Sequence, residues 1–179
     1  MSDFRQSRVA LVVVKLKVRG TPYFLMRKNR AWGDVTFIGG HTNERDNGML
    51  HRAAYRELLE EVPPLRSARG LEIRPLTPQL DHGPVESPSA QTTVIYDLQF
   101  FLAVFRHTPE KLIASLGPRS LNVLVAQHEL LQPNRYKVAT LVQILNDVYE
   151  GGLSAIPYSW PGDLESVQNR VAQPALAFH

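Results

Sequence analysis

The sequence predicts a mixed α/β domain in which helices cover a central sheet. Three observations carry that prediction. Residues 8–18 are rich in β-branched side chains and end in alternating apolar and basic positions. Met49, Leu50, Ala53, Ala54, Leu58 and Val62 recur at helical spacing. Residues Thr92 to Phe105 are dense in Val, Ile, Tyr, Leu and Phe, the strongest strand pattern in the chain.

In chain order, the strand at 8–18 is followed by a turn at Gly20-Thr21-Pro22 and a second strand from Tyr23 to Met26, forming a hairpin. Residues 27–34 read as a polar loop. Val35 to Ile38 is a short apolar segment closed by Gly39-Gly40. A helix then runs from about Gly48 or Met49 to Val62, with Asp46 or Asn47 as its N-cap. Pro63-Pro64 stops it, because proline disfavours helical geometry in the residue before it. Residues 71–76 form a strand, and 77–92, rich in Pro, Ser, Gly and Gln, a long loop. After the strand at Thr92 to Phe105 come a short helix from Pro109 to Leu116, a strand from Leu121 to Ala126 and an amphipathic helix from Tyr136 to Tyr149. Gly151-Gly152 ends that helix. The chain thus divides into a domain at 1–152 and a proline-containing tail at 153–179, an arm for packing on the domain or on a partner chain. The second option makes a homodimer one of the assemblies to expect.

Composition narrows the function classes. The chain has 179 residues, 44% hydrophobic and 21% charged, the profile of a single globular domain. It has no cysteine, which excludes disulfides, thiolate metal sites and cysteine nucleophiles. The apolar run Val9 to Val14 is too short for a membrane span, and no small-residue cleavage site follows it, so a cytoplasmic location with no membrane contact is expected. The net charge of +3 includes no dense basic run, and no nucleic-acid partner is expected from it.

The chemistry concentrates at Arg56-Glu57-Leu58-Leu59-Glu60-Glu61. Residues three and four apart share a helix face, so Glu57, Glu60 and Glu61 converge. Such a cluster is either a solvated acidic face, with Arg52 and Arg56 as salt-bridge partners, or a site for a divalent cation that relieves the repulsion. Arg56 can hold one carboxylate by a bidentate pair.

The flanking residues favour the second reading. Trp32-Gly-Asp-Val-Thr-Phe-Ile-Gly-Gly-His41 precedes the helix, and Ala53 to Glu61 follows. Together they resemble the Nudix hydrolase signature G-x5-E-x7-R-E-U-x-E-E-x-G-U, where U is apolar; the matching positions are Gly40, Arg56, Glu57, Leu58, Glu60 and Glu61. The box covers residues 39–64. Two residues more than the signature allows lie between Gly40 and Arg56, the expected glutamate falls on Gly48, and Pro63 stands in place of the closing glycine. Asp46 or Glu44 in the longer loop is the candidate replacement for that glutamate.

The resemblance implies an α/β/α sandwich with a mixed central sheet flanked by helices. It also implies a pyrophosphohydrolase that cleaves a phosphoanhydride in a nucleoside-diphosphate-linked small molecule with Mg²⁺ or Mn²⁺. Glu57, Glu60 and Glu61 would be catalytic residues and metal ligands, with Arg56 orienting a carboxylate. Glu129 from a later loop is the candidate to complete the metal site, with Glu86 as a second. Gly39 and Gly40 would let the backbone approach metal or phosphate. His41, Trp32 and Arg27 are candidate substrate contacts; Lys28 and Arg30, near the same mouth, either reach phosphates or form a solvated strand end. His82 and the other histidines show no ligand spacing. The missing glutamate supports an alternative, a Nudix-fold nucleotide-binding or regulatory protein with weakened catalysis.

Overall fold

The computed structural model describes residues 4–31, 33–87, 91–117, 119–132 and 137–164. It contains β1 (Arg5–Val13), β2 (Lys15–Val18), β3 (Thr21–Lys28), β4 (Val35–Thr36), β5 (Ile38–His41), α1 (Leu50–Glu61), β6 (Leu71–Pro75), β7 (Leu80–Ser87), β8 (Thr92–Phe105), α2 (Glu110–Ala114), β9 (Asn122–Ala126), α3 (Gln127–Leu130), α4 (Thr140–Val148) and α5 (Gly152–Ala155).

The strands form two sheets. The larger has the order β5-β1-β8-β6, with β7 also paired to β8; the smaller has the order β2-β3-β4, with β9 on β3. β1 runs parallel to β8 and all other pairs in the larger sheet are antiparallel, so that sheet is mixed, as expected. The single strand expected at 8–18 is two strands in different sheets, separated at Val14. Phe37 marks the corresponding break between β4 and β5. Both breaks fall inside apolar runs, where no change in residue type signals a change of sheet.

β1 explains why an unbroken apolar run sits here. Ala10, Val12 and Val14 join one core with Leu50, Ala53, Ala54 and Leu58 of α1. Val9, Leu11 and Val13 point the other way, into a second core with Val142 and Leu145 of α4 and Leu153 of α5. Alternate side chains of a strand face opposite sides, so a strand sandwiched between helical layers is apolar throughout. That arrangement is the expected α/β/α sandwich.

Three boundaries differ from expectation. The stretch at 77–92 contains β7, whose register shifts between His82 and Val85; Gly83 and Pro84, which read as loop residues, sit in this bulge. α4 starts at Thr140 and not at Tyr136, because residues 137–139 lie beside β4. Val35 N–H donates to Lys137 O at 2.8 Å, and Ala139 N–H donates to Val35 O at 2.9 Å. Tyr136 itself is outside the described residues. The N-cap of α1 is Met49, with no side-chain cap, because Asp46 is engaged elsewhere.

Residues 153–164 lie across β2. Ser159 N–H donates to Lys15 O at 2.7 Å, and Leu164 N–H donates to Lys17 O at 3.0 Å. Lys15 is only 2% exposed, and its ammonium donates to the carbonyls of Leu153, Ser154 and Ile156 at 3.1, 2.9 and 2.9 Å. The rings of Phe24 and Tyr158 lie 5.4 and 5.1 Å from Nζ. Burial pushes the Lys15 amine down from 10.5 to about 8. No helix among the described residues is long and apolar enough to cross a membrane.

Lys15→Met leaves three carbonyls without their donor and is expected to lower stability by about 1–3 kcal/mol in urea unfolding. Between pH 8 and 10.5 the unfolded chain keeps a proton that folded Lys15 has lost, so native stability rises with pH there. Lys15→Met lacks that rise, and the gap between the two unfolding midpoints widens over this range.

Candidate functional site

The site is built around Arg56. Its Nε donates to Asp46 Oδ1 at 3.1 Å and Nη2 to Asp46 Oδ2 at 2.9 Å, a bidentate pair. Nη2 also donates to His41 O at 2.9 Å. Nη1 donates to Glu57 Oε1 at 2.7 Å and to Glu60 Oε2 at 3.1 Å. A guanidinium has five N–H donors, and these bonds use all of them.

Asp46 and not Glu44 is thus the acid of the long loop that reaches the helix. Asp46 is 2% exposed, and Glu44 is on the surface. Hydrogen bonds from Arg56 hold the Asp46 carboxyl below its ordinary value against the opposing effect of burial. The loop achieves this with a 3₁₀ turn, Glu44–Asp46, in which Asp46 Oδ2 accepts from Asn43 N–H at 2.8 Å. Asn47 and Gly48 follow, both left-handed at φ 50° and 70°. These two consecutive left-handed residues absorb the extra length before α1. Gly48, where the signature has glutamate, is therefore a turn residue, and its carbonyl accepts from Arg8.

Gly39 and Gly40 serve different contacts. Gly39 has φ 152°, and a Cβ there would run into the Ala10 carbonyl of β1. A Cβ on Gly40 would lie 2.6 Å from Glu57 Oε1. The missing side chain at Gly40 is thus the space that the Glu57 carboxylate fills.

The three glutamates differ in environment. The Glu57 side chain is 13% exposed and Glu60 is 48% exposed. Glu61 is half-buried and ion-paired with Arg27 of β3. Arg27 also donates to Asn122 Oδ1 at 3.2 Å, and Asn122 Nδ2 donates to Glu61 O at 2.8 Å. Burial raises the Glu61 carboxyl, with Arg27 opposing and Glu57 and Glu60 reinforcing the rise. Among the described residues, no three acidic or histidine side chains sit close enough to cage an ion by themselves. Glu129 is on α3, after β9. Trp32 lies outside the described residues.

A cavity of about 500 Å³ opens beside Gly39, Gly40 and His41. Asn29, Thr36 and Thr140 contribute polar groups, and Thr36 Oγ1 is buried without a partner. His41 and Tyr96 stand with ring centroids 6.3 Å apart, and Ser7 Oγ is 2.7 Å from His41 Nδ1. β7 brings His82 and Glu86 to the same cavity. No sequence spacing marks His82 or Tyr96 as a site residue; only their place on paired β7 and β8 brings them together.

No protein-family model matches the chain, and no curated protein matches it in sequence. Solved structures do match in fold. A NUDIX hydrolase from Nitrosomonas europaea aligns over 86% of this chain and 97% of its own, with TM-score 0.51 and 15% identity. The chain has the Nudix fold. NrtR from Shewanella oneidensis aligns over 79% of this chain, with TM-score 0.53 and 16% identity. The same protein complexed with a 27mer DNA aligns over 78%, with TM-score 0.52 and 15% identity. This chain spans 63% and 60% of the length of those two NrtR chains. Within the Nudix fold seen here, the resembling box residues occupy one helix and the strand and loop that lead into it.

Two sets of variants test this geometry. Gly39→Ala is expected to cost at least ~2 kcal/mol through backbone clash and strain. Gly40→Ala stays within about 1 kcal/mol of the parent, because the flexible Glu57 side chain gives way. Thermal melts and a crystal structure showing a displaced Glu57 check both. Asp46→Ala leaves a guanidinium with two unpaired donors and is expected to cost ~3 kcal/mol, whereas Glu44→Ala stays within about 0.5 kcal/mol. The Asp46 contribution is complete above pH 3.8 and is lost as pH falls through the lowered folded value. Urea unfolding of parent and Asp46→Ala should therefore converge in strong acid.

Proposed function

We propose that the chain is a metal-dependent hydrolase that cleaves the phosphoanhydride bond of a nucleoside-diphosphate-linked substrate. The observation that carries this reading is Glu57, held by Arg56 in the space left by Gly40, a glycine that itself lines a cavity of about 500 Å³.

The chemistry of the donor set fits a hard divalent cation. Among the described residues, Asp46, Glu57, Glu60 and Glu61 form ion pairs with two guanidiniums, Arg56 and Arg27, and Arg52 acts on Asp46 through space, so the four ionised acids outnumber these cations. Mg²⁺ binds through one or two carboxylates and substrate phosphates more often than in an all-protein cage. The absence of a three-ligand cluster among the described residues is compatible with that habit. Glu57, Glu60 and Glu61 would hold the ion, with Glu129 as a further candidate. Mg²⁺ or Mn²⁺ would neutralise phosphate charge and activate water.

The residues of the chain do the rest. Arg56 fixes Glu57 and Glu60 and does not touch substrate, since its donors are spent. One of the three glutamates takes the proton of the attacking water. His41, with Tyr96 beside it, and Asn29, Thr36 and His82 contact the nucleoside end in the cavity, and Arg27 turns toward phosphate.

A second reading, nucleotide binding or regulation without turnover, is favoured by one observation. Arg56 and Arg27 already pair with all three glutamates, so the acidic cluster is compensated within the chain without a metal.

Purified protein is to be incubated with Mg²⁺ or Mn²⁺ and ADP-ribose, NADH, dinucleoside polyphosphates, nucleoside triphosphates and nucleotide sugars. Turnover of at least one is expected, falling on the order of a hundredfold or more in Glu57→Gln and Glu61→Gln. Turnover that survives both substitutions sinks the assigned role. Saturable binding with no turnover establishes the second reading.

A further inference from the structure

A second cavity, of about 510 Å³, lies at the far end of β3. One wall is Lys28, Asn29 and Arg30, with Gly33 completing the turn into β4; the other is Arg119, Ser120 and Leu121, leading into β9. Backbone hydrogen bonds fix both walls. Lys28 N–H donates to Leu121 O, Asn29 N–H to Asp34 O and Gly33 N–H to Asn29 O, each at 2.8 Å. Asn29 Oδ1 accepts from Ala31 N–H at 3.0 Å, and Ser120 Oγ from Asn122 N–H at 3.0 Å.

Three of the lining residues are cationic and none is acidic. Arg30 and Arg119 are exposed and form no ion pair with any described residue. Clustered like charges repel, and an anion reverses that cost. Arginine forks suit phosphate because they donate two hydrogen bonds in a plane.

The position of this cavity matters as much as its charge. Asn29 lines both cavities. Arg27, two residues earlier on β3, is paired with Glu61 of the carboxylate cluster. The carboxylate cluster, through Arg27, and both cavities, through Asn29, therefore all contact the same short stretch at the end of β3.

We propose that the basic cavity is a subsite for the terminal phosphate of a nucleotide whose nucleoside end occupies the first cavity. The ligand class is then a nucleotide with a chain of three or more phosphates. This assignment rests on the nucleotide reading of the first cavity and narrows it.

The test is isothermal titration in the presence of EDTA, using inorganic tripolyphosphate and AMP as separate probes of the parent protein. Arg30→Glu and Arg119→Glu each reverse one lining charge, and Arg69→Glu makes the same charge change elsewhere on the surface. Unfolding midpoints establish that each variant is folded. Tripolyphosphate should bind the parent, and each lining substitution should weaken it about tenfold or more. Arg69→Glu should change it by less than about twofold, and AMP affinity should move by less than about twofold in all variants. No tripolyphosphate binding to the parent, or binding indifferent to Arg30 and Arg119, overturns the proposal. So does loss of duplex DNA binding in the same variants with tripolyphosphate unaffected, which makes the surface a nucleic-acid contact. The titrations contain no metal and leave Glu57, Glu60 and Glu61 intact. A failure of the hydrolase reading therefore shows as absent turnover alone, and a failure of the subsite as absent tripolyphosphate binding.

Discussion

One guanidinium holds the candidate site together. Arg56 reaches the loop through Asp46, the end of β5 through the His41 carbonyl, and its own helix through Glu57 and Glu60. Taking a carboxylate and a guanidinium out of water is costly, and the cost is recovered only where geometry satisfies nearly every donor and acceptor. Here all five donors are met, so the buried Asp46 is compatible with a stable fold. The same bonds set where Glu57 lies, and Gly40 leaves it the room. Positioning of the carboxylates is thus a property of the folded scaffold before any ligand arrives.

How much of this could be read beforehand depended on the range of the interaction. α1 was legible because its apolar stripe and its acidic face are both local periodicities, visible in Leu50, Ala53, Ala54 and Leu58 and in Glu57, Glu60 and Glu61. β8 was legible from an equally local signal, its density of Val, Ile, Tyr, Leu and Phe. The inward turn of Asp46 was not, because it depends on two left-handed residues, Asn47 and Gly48, and on a partner ten positions away. Asp46 and Glu44 are equivalent on paper; only the three-dimensional path of the loop separates them.

The cavity was harder still to read. Its walls come from β1, β4, β5, β7, β8 and the start of α4, elements far apart in sequence. Gly83 and Pro84 disguised β7 as loop, since both residues normally end strands, yet a bulge tolerates them. Once β7 is paired with β8, His82 stands opposite Tyr96 and faces the cavity with it. Gly39 carries a second requirement that its sequence context does not show. A double glycine suggests close approach to a ligand, and at Gly39 the Ala10 carbonyl of the neighbouring strand also leaves no room for a Cβ.

The boundary between core and polar surface falls within β3. Phe24, Leu25 and Met26 are buried, whereas Arg27 and Lys28 are part-buried and Arg30 is exposed. That boundary is set by register, with Arg27 opposite Asn122 on one side and Thr36 on the other. Residues directly opposite in antiparallel strands share a face. Asn122, Arg27 and Thr36 therefore form a polar row across three strands. The row runs from the Glu61 carbonyl, which Asn122 holds, to the cavity that Thr36 lines. A slip of β3 by one residue would send Arg27 to the opposite face and bring Met26 or Lys28 opposite Asn122 and Thr36. The burial of Phe24 and Met26 in one core and Leu25 in the other resists such a slip. Packing of three apolar residues is thus what keeps Arg27 against Glu61 and the strand end between the two cavities.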